Sequence, residues 1–228
     1  MVEYLLIDLD DTIFDFKKAE HIAVKKTLSD FGVEPTDTVC QRYSVINQQH
    51  WEAMERKEMT RQQVLVGRFA VLFEELGVDV DAAVCSAQYT QNLSIGHYYL
   101  PGAREAVEWL SKKYKLYLTS NGTAWVQRSR LSSSDIEQFF LDIFISQEIG
   151  YNKPAKEYFD GCFARIPGFD PAKAMIVGDS LSSDIKGGKN AGIVTCWLNP
   201  QHKEAKDILP DHQIEDLCQL ETLLETLQ

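Results

Sequence analysis

The sequence predicts an α/β fold, in which a parallel sheet is flanked by helices and carries an inserted four-helix unit. From residue 101 onward, short apolar runs alternate with helical segments, a pattern typical of a parallel sheet covered on both faces. Between Ala19 and about Gly96, apolar residues follow a helical period and no segment has the pattern of a strand. The sheet is therefore predicted to be interrupted, early in the chain, by helices alone.

The first strand of the sheet is predicted at Tyr4–Ile7, ahead of the helical unit. It leads directly into Asp8-Leu9-Asp10-Asp11-Thr12, which places carboxylates at the edge of the sheet where ligands bind in α/β folds. Asp8 and Asp10 are two residues apart and project to the same side, so their charges repel unless a proton or a cation intervenes. The stretch predicts a cation site. The alternative is that these acids only cap a helix, and Asp11 and Thr12 are assigned that lesser role as turn and cap residues.

The helical unit is predicted to contain four helices. The first has its apolar face between Ala19 and Phe31 and ends at Gly32. The other three are predicted over Val39–Met54, from a capping box at Thr60 and Gln63 to near Gly77, and from Asp79 to about Leu93.

The later strands and helices are predicted from the alternating pattern of the second part of the chain. Strands are predicted at Lys115–Thr119, Asp142–Ser146, Ala174–Val177, Ile193–Leu198 and Gln213–Ile214. Helices are predicted at Ala103–Lys113, after Gly122, around Ala155–Ala164, and after Ser180.

Charge and composition restrict the class of partner. The 228 residues carry a formal net charge of −11 without a Lys/Arg stripe, which disfavours nucleic acids and anionic membranes. A small phosphorylated ligand stays compatible if a metal and a lysine reverse the local field. No apolar run approaches the ~18 residues needed to span a bilayer, the N-terminus does not resemble a signal peptide, and the five cysteines are scattered singly. These features predict a cytoplasmic enzyme and do not distinguish a monomer from a homodimer.

Polar residues follow four of the predicted strands at their carboxyl ends, which meet at one edge of a parallel sheet. Each residue alone has an ordinary explanation as a cap, a turn former or a solvated charge. Their coincidence at four strand ends predicts one pocket, formed by Asp8 and Asp10, Ser120 and Asn121, Lys153, and Asp179 with Asp184.

Taken together, these four motifs resemble those of the haloacid dehalogenase (HAD) superfamily phosphatases, and the match covers nearly the whole chain. The motifs are Asp8-Leu9-Asp10, Ser120-Asn121-Gly122, Lys153-Pro154 and Gly178-Asp179 with Asp184. The resemblance implies a Rossmann-like catalytic core over residues 1–15 and 100–228, and a helical C1-type cap domain over residues 16–99. It also implies a phosphate monoester hydrolase that uses an aspartyl-phosphate intermediate.

The resemblance implies a role for each motif residue. Asp8 would be the nucleophile, and Asp10 the general acid and base. Superfamily hydrolases usually carry an acid at the second position where dehalogenases do not, so Asp10 favours ester hydrolysis. Asp8, Asp179 and the Asp10 backbone carbonyl would ligate Mg²⁺, and Asp184 would act through a bound water or its neighbours. Lys153, Ser120 and Asn121 would bind the phosphoryl group, with Thr119 the alternative hydroxyl because the strand register is open by one residue.

Two further stretches indicate a branch of the superfamily. Residues 192–200 and 152–159 look like those of the YjjG-type, noncanonical pyrimidine nucleotidases. That resemblance implies a 5′-nucleotidase acting on pyrimidine nucleoside monophosphates. The alternative is a phosphatase of another small ester, such as a sugar phosphate or phosphoglycolate, and a remote alternative is a phospho-accepting module without turnover.

Overall fold

The computed structural model describes residues 1–227, which form two compact units. The first unit contains residues 1–15 together with the chain from His97 onward, and the second contains residues 16–96. No helix within residues 1–227 combines the length and the apolar character needed to cross a membrane.

The first unit is built on a six-stranded sheet in which every pairing is parallel, with the strand order β3-β2-β1-β4-β5-β6. The predicted α/β class and parallel sheet are confirmed. The strands are β1 (Tyr4–Asp8), β2 (Lys115–Ser120), β3 (Asp142–Ile145), β4 (Ala174–Gly178), β5 (Val194–Leu198) and β6 (His212–Ile214).

Strand β1 lies near the middle of the sheet, between β2 and β4, and is buried throughout. Its side chains alternate between two apolar clusters, with Leu5 and Ile7 in one and Tyr4 and Leu6 in the other. Both faces of the sheet are covered, as expected of a parallel sheet. The carboxylate of Asp8 is therefore delivered to the central part of the carboxyl edge.

The second unit consists of the four predicted helices. Thr60 and Gln63 form the predicted capping box before the third of them, and Gly77 ends it in the left-handed region with φ at 65°. The fourth begins three residues later than predicted, because Asp81 accepts the N-terminal hydrogen bonds as its cap. The helices are α1 (Phe16–Asp30), α2 (Asp37–Glu55), α3 (Arg61–Leu76) and α4 (Ala82–Leu93).

The remaining helices flank the sheet of the first unit. Two of them, one at Ser146–Ile149 and one at Gln219–Thr226, are additional to the prediction. A single π-helical turn, Leu181–Ile185, follows β4 and carries Asp184. The helices are α5 (Ala103–Ser111), α6 (Ala124–Ser132), α7 (Ser146–Ile149), α8 (Lys156–Phe163), α9 (Lys186–Ala191) and α10 (Gln219–Thr226).

Candidate active site

Asp8, the last residue of β1, forms a buried ion pair with Lys153. The Lys153 ammonium nitrogen Nζ donates to Asp8 Oδ1 at 2.6 Å and to Asp184 Oδ1 at 2.6 Å. It also lies 3.4 Å from Thr119 Oγ1. Lys153 is only 1% exposed, so its charge is compensated by these two carboxylates and not by bulk water.

Asn121 fixes the backbone that carries Lys153. Its Nδ2 donates to the Lys153 carbonyl oxygen at 2.9 Å, and the Lys153 N–H donates to Asn121 Oδ1 at 2.9 Å. Nδ2 also donates to Ser183 Oγ at 3.2 Å. Both ends of the Asn121 side-chain amide are therefore engaged in contacts within the protein.

Asp8, Asp179 and Asp184 form a group of carboxylates whose nearest oxygens all lie within 4.8 Å of one another. Asp184 is buried in the π-helical turn, where its Oδ2 accepts from the Ser180 N–H at 3.2 Å. Gly178 makes this placement possible, because a Cβ at that position would lie 2.2 Å from Asp184 Oδ2.

The charges of this group are unbalanced. Burial raises the pKa of Asp8 well above its usual range, Asp184 and Asp179 raise it further, and Lys153 opposes them. Burial also disfavours the charged form of Lys153, but Asp184 and Asp8 outweigh it and raise the pKa of the ammonium. One ammonium against three carboxylates leaves a formal surplus of two negative charges. An all-oxygen donor set with this surplus fits a hard divalent cation such as Mg²⁺.

Asp10 has different partners from Asp8. Arg130 Nη1 donates to Asp10 Oδ1 at 2.5 Å, and Gln127 Nε2 donates to Asp10 Oδ2 at 2.6 Å. Both partners come from α6 and were not predicted from the sequence. The available signal was their spacing of three residues, which puts them on one face of a helix that begins just after Ser120-Asn121-Gly122.

The two hydroxyl groups at the end of β2 have separate neighbours. Thr119 Oγ1 is the one near Lys153, whereas Ser120 Oγ accepts from Gln127 Nε2 at 2.8 Å and from the Gly122 N–H at 3.0 Å. This follows from the alternation of side chains along a strand. Both residues are buried, and each is linked to one acid of the first motif through an intermediate side chain, Thr119 to Asp8 through Lys153 and Ser120 to Asp10 through Gln127.

The prediction that Thr12 is a helix cap is wrong. Helix α1 begins at Phe16, and Thr12 is fully buried with its Oγ1 directed at Asp8 Oδ2, 3.4 Å away. Asp11 does act as a turn residue, with φ at 55° and its N–H donating to the Phe14 carbonyl at 2.7 Å. Because the chain turns back after Asp10, Thr12 reaches the carboxylate of Asp8.

A family model described as haloacid dehalogenase-like hydrolase matches residues 5–198. The chain belongs to the haloacid dehalogenase-like hydrolases. Similar curated members of this family include a protein named HAD-hydrolase YfnB, from Bacillus subtilis, which is 40% identical over 96% of this chain and 94% of its own length.

Two other relatives of this haloacid dehalogenase-like hydrolase are named pyrimidine 5′-nucleotidases. PynA of Streptococcus pneumoniae is 34% identical over 89% of this chain and 86% of its own length. YjjG of Escherichia coli is 30% identical over 97% of each chain.

Solved structures share the fold. The crystal structure of YfnB from Bacillus subtilis, described as bound to magnesium, has a TM-score of 0.94 at 40% identity and covers 98% of each chain. The L-2-haloacid dehalogenase of Xanthobacter autotrophicus has a TM-score of 0.80 at 16% identity over the whole of each chain, and at that identity the likeness extends to the fold alone.

Proposed function

We propose that this haloacid dehalogenase-like hydrolase is a Mg²⁺-dependent phosphate monoester hydrolase, acting as a 5′-nucleotidase on pyrimidine nucleoside monophosphates through an aspartyl-phosphate. The observation that carries the proposal is the setting of Asp8, which has Lys153 at 2.6 Å and two further carboxylates within 4.8 Å. A buried carboxylate beside a fixed ammonium and a cation site suits a nucleophile that must approach an anionic ester.

In the first half-reaction, a carboxylate oxygen of Asp8 forms a bond to phosphorus while the bond from phosphorus to the ester oxygen breaks. Asp10 gives its proton to the departing ester oxygen, which leaves as an alcohol. Lys153 offsets the negative charge that the phosphoryl oxygens bring next to Asp8. The product of this step is the aspartyl-phosphate and an unprotonated Asp10.

In the second half-reaction, Asp10 takes a proton from a water molecule as that water attacks the phosphorus. The bond between phosphorus and Asp8 breaks, which restores the free carboxylate and releases inorganic phosphate. The proton lost by Asp10 in the first step is thereby regained, so that one residue serves as acid and then as base.

Mg²⁺ would be held by the Asp8 and Asp179 carboxylates and the backbone carbonyl of Asp10, with Asp184 acting through a bound water or through Lys153. The direct contact between Asp184 and Lys153 supports an indirect role for that acid. When bound, the ion supplies positive charge that offsets a phosphate ester of about −1.5 to −2.

The phosphoryl oxygens would be bound by Ser120 Oγ, the Asn121 backbone N–H and Lys153 Nζ. The Asn121 side chain supports this arrangement by fixing the Lys153 backbone through two hydrogen bonds of 2.9 Å. Thr119 is the alternative hydroxyl, since it lies 3.4 Å from Lys153 Nζ. Replacing each hydroxyl residue by alanine separately distinguishes them, because the larger rise in KM marks the one that contacts substrate.

The nucleotide preference is supported by the names of PynA and YjjG, which the chain matches along most of its length. We assign substrate selection to the cap domain predicted over residues 16–99, because the strand-end residues are all assigned to the reaction at phosphorus.

A substrate panel tests the proposal. Phosphate release with Mg²⁺ is measured for UMP, dTMP, AMP, GMP, ribose 5-phosphate and phosphoglycolate. Highest kcat/KM for the pyrimidine nucleotides supports the proposal. A clear preference for a non-nucleotide ester overturns the nucleotidase assignment and leaves the hydrolytic chemistry standing. Absence of turnover on every ester, in protein that binds Mg²⁺, overturns the enzymatic proposal in favour of a phospho-accepting module.

A further inference from the structure

We infer that Gln127 and Arg130 are positioning residues, which hold the carboxylate of Asp10 in the orientation needed for proton transfer. This inference rests on the proposed function, because it requires Asp10 to be the general acid and base. It assigns a role to α6, a helix that carries none of the residues of the four strand-end motifs.

Both carboxylate oxygens of Asp10 accept hydrogen bonds from side chains of α6. Arg130 holds one oxygen of Asp10 at 2.5 Å and Gln127 holds the other at 2.6 Å. Arg130 Nη1 also donates to Gln127 Oε1 at 2.9 Å, which joins the two residues to each other. With both carboxylate oxygens held, the rotation of the Asp10 side chain is fixed, whereas a carboxylate exposed to water alone samples several rotamers.

Gln127 and Arg130 are buried, whereas the Asp10 side chain that they hold is partly exposed. Gln127 is 1% exposed and the Arg130 side chain 0% exposed, but the Asp10 side chain is 26% exposed. A buried guanidinium is costly unless it is paired, and here Arg130 Nη1 pairs with Asp10 while the centre of the guanidinium lies 5.1 Å from the centroid of the Phe14 ring. Two buried side chains therefore orient a carboxylate that is itself partly exposed to solvent.

Gln127 is itself held in place by Ser120 and by the space that Gly122 leaves. Its Nε2 also donates to Ser120 Oγ at 2.8 Å. Gly122 provides the space for this side chain, because a Cβ there would lie 2.4 Å from Gln127 Nε2. Gln127 thus connects the acid to the hydroxyl assigned to phosphate binding, and fixes the distance between the leaving oxygen and its proton donor.

Orientation of this kind affects one chemical step more than the others. General acid catalysis contributes about 10²–10⁴-fold and depends on hydrogen-bond geometry. It is needed when an alkoxide leaves, as from UMP, and is dispensable when p-nitrophenolate leaves, because that anion is stable without a proton. In both cases kcat/KM reports the steps up to formation of the aspartyl-phosphate.

The experiment measures kcat/KM with Mg²⁺ for UMP and for p-nitrophenyl phosphate in the full-length variants Gln127→Leu, Arg130→Lys and Arg130→Met. We expect losses of about 10–100-fold on UMP and less than about 3-fold on p-nitrophenyl phosphate, with the KM for UMP unchanged in the two Arg130 variants. Arg130→Lys keeps the charge and is expected to retain more UMP activity than Arg130→Met. Retained turnover of p-nitrophenyl phosphate also reports that each variant is folded.

Matched controls are available nearby. Arg128, on the same helix, is half-buried and pairs with Glu148 at 2.8 Å, and Gln138 is exposed and donates to a backbone carbonyl. Arg128→Met and Gln138→Met are expected to lose less than about 2-fold on either ester.

Asp10→Asn separates the role of Asp10 as general acid from the positioning roles of Gln127 and Arg130. If Asp10→Asn loses UMP activity selectively but the Gln127 and Arg130 variants lose both esters equally, or neither, the positioning inference is overturned and the proposed function stands. If Asp10→Asn itself shows no dependence on the leaving group, the assignment of Asp10 as general acid fails, and the inference fails with it.

Discussion

Two buried cations, Lys153 in the first unit and Arg68 in the second, differ in whether their partners are charged or neutral. Lys153 in the first unit contacts two carboxylates directly, each at 2.6 Å. Arg68 in the second unit donates from Nη1 to the neutral amide oxygen of Asn47 at 2.8 Å, and the nearby buried Glu20 accepts from the same amide at 2.6 Å. Aromatic rings complete the surroundings of Arg68, with the centroid of Tyr89 4.7 Å from the guanidinium.

Under the proposed function, the difference separates a charge used in the reaction from a charge used for packing. The cation of the second unit is satisfied in place by an amide, a backbone carbonyl and ring faces, and needs nothing further. Around Lys153, three carboxylates face a single ammonium, which leaves a formal surplus of two negative charges that the proposed Mg²⁺ would offset. A buried polar group left unbalanced by the fold indicates a ligand, whereas a balanced one indicates structure.

The largest expected effect comes from Asp8→Asn. Removing the nucleophile is expected to lower phosphate release from UMP by about 10⁴-fold or more. The variant is expected to melt no lower than the wild type without metal, because burial already disfavours the charged form of Asp8. Released phosphate and a thermal melt measure the two effects. Turnover close to the wild-type value would exclude Asp8 as the nucleophile.

The next effect in size comes from Lys153→Met. Activity is expected to fall by about 10³-fold, and the free energy of unfolding by about 3 kcal/mol, because two buried carboxylates lose their cation. The matched control is Lys156→Met, which breaks an exposed pair with Asp160 and should cost under about 0.5 kcal/mol. Equal effects of the two substitutions on urea unfolding would contradict the assignment.

Mg²⁺ is expected to stabilise the protein by about 2.7 kcal/mol at one hundred times its Kd, and Asp179→Asn to remove that gain. The folded pKa of Asp8 is raised above its unfolded value of about 3.9, so the metal-free protein loses stability as pH rises from about 4 through the raised pKa. The stabilisation by Mg²⁺ should therefore increase with pH across this window. Thermal melts at pH 5 and 7.5, with Mg²⁺ or with EDTA, measure it, and a gain that decreased with pH would contradict the charge argument.

The smallest effect is expected from Arg68→Met. Loss of the guanidinium leaves Asn47 Oδ1 without its donor in the interior, which should cost about 1–3 kcal/mol of unfolding free energy. The kcat for p-nitrophenyl phosphate should change less than about 3-fold. Arg56→Met, which breaks an exposed pair with Glu58, is the control and should be neutral. A large loss of kcat in a stable Arg68 variant would remove the distinction between the two cations.

Periodicity was sufficient to predict the helices of the second unit and the strands of the first, because those patterns reflect which faces are buried. Periodicity missed α7 and α10, and it placed the end of β2 at Thr119, one residue before the observed end at Ser120. The register at the end of β2 decides which hydroxyl faces Lys153 and which faces Gln127. From the sequence alone, Thr119 and Ser120 therefore both stayed open as the phosphate-binding residue.

The contacts of Asp10 were beyond reach of the sequence for a different reason. Gln127 and Arg130 lie more than a hundred residues away along the chain, and a polar pair on a short helix is ordinarily solvated. Thr12 was misassigned because a hydroxyl after two acids is typical of a helix cap, and only the turn at Asp11 directs it inward. Local patterns predicted which strand ends carry polar side chains but not which neighbours those side chains contact.

The strand order has a consequence for how the chain reaches its final form. Tyr4 pairs with Lys115 on one side and with Ala174 on the other, so β1 has no partner strand until distant segments are available. The helical segment between them forms its helix–helix contacts within residues 16–96, so it does not have to wait for the later segments. Until β2 and β4 dock, an apolar strand with two open edges is exposed to other chains, which makes association during refolding depend on protein concentration.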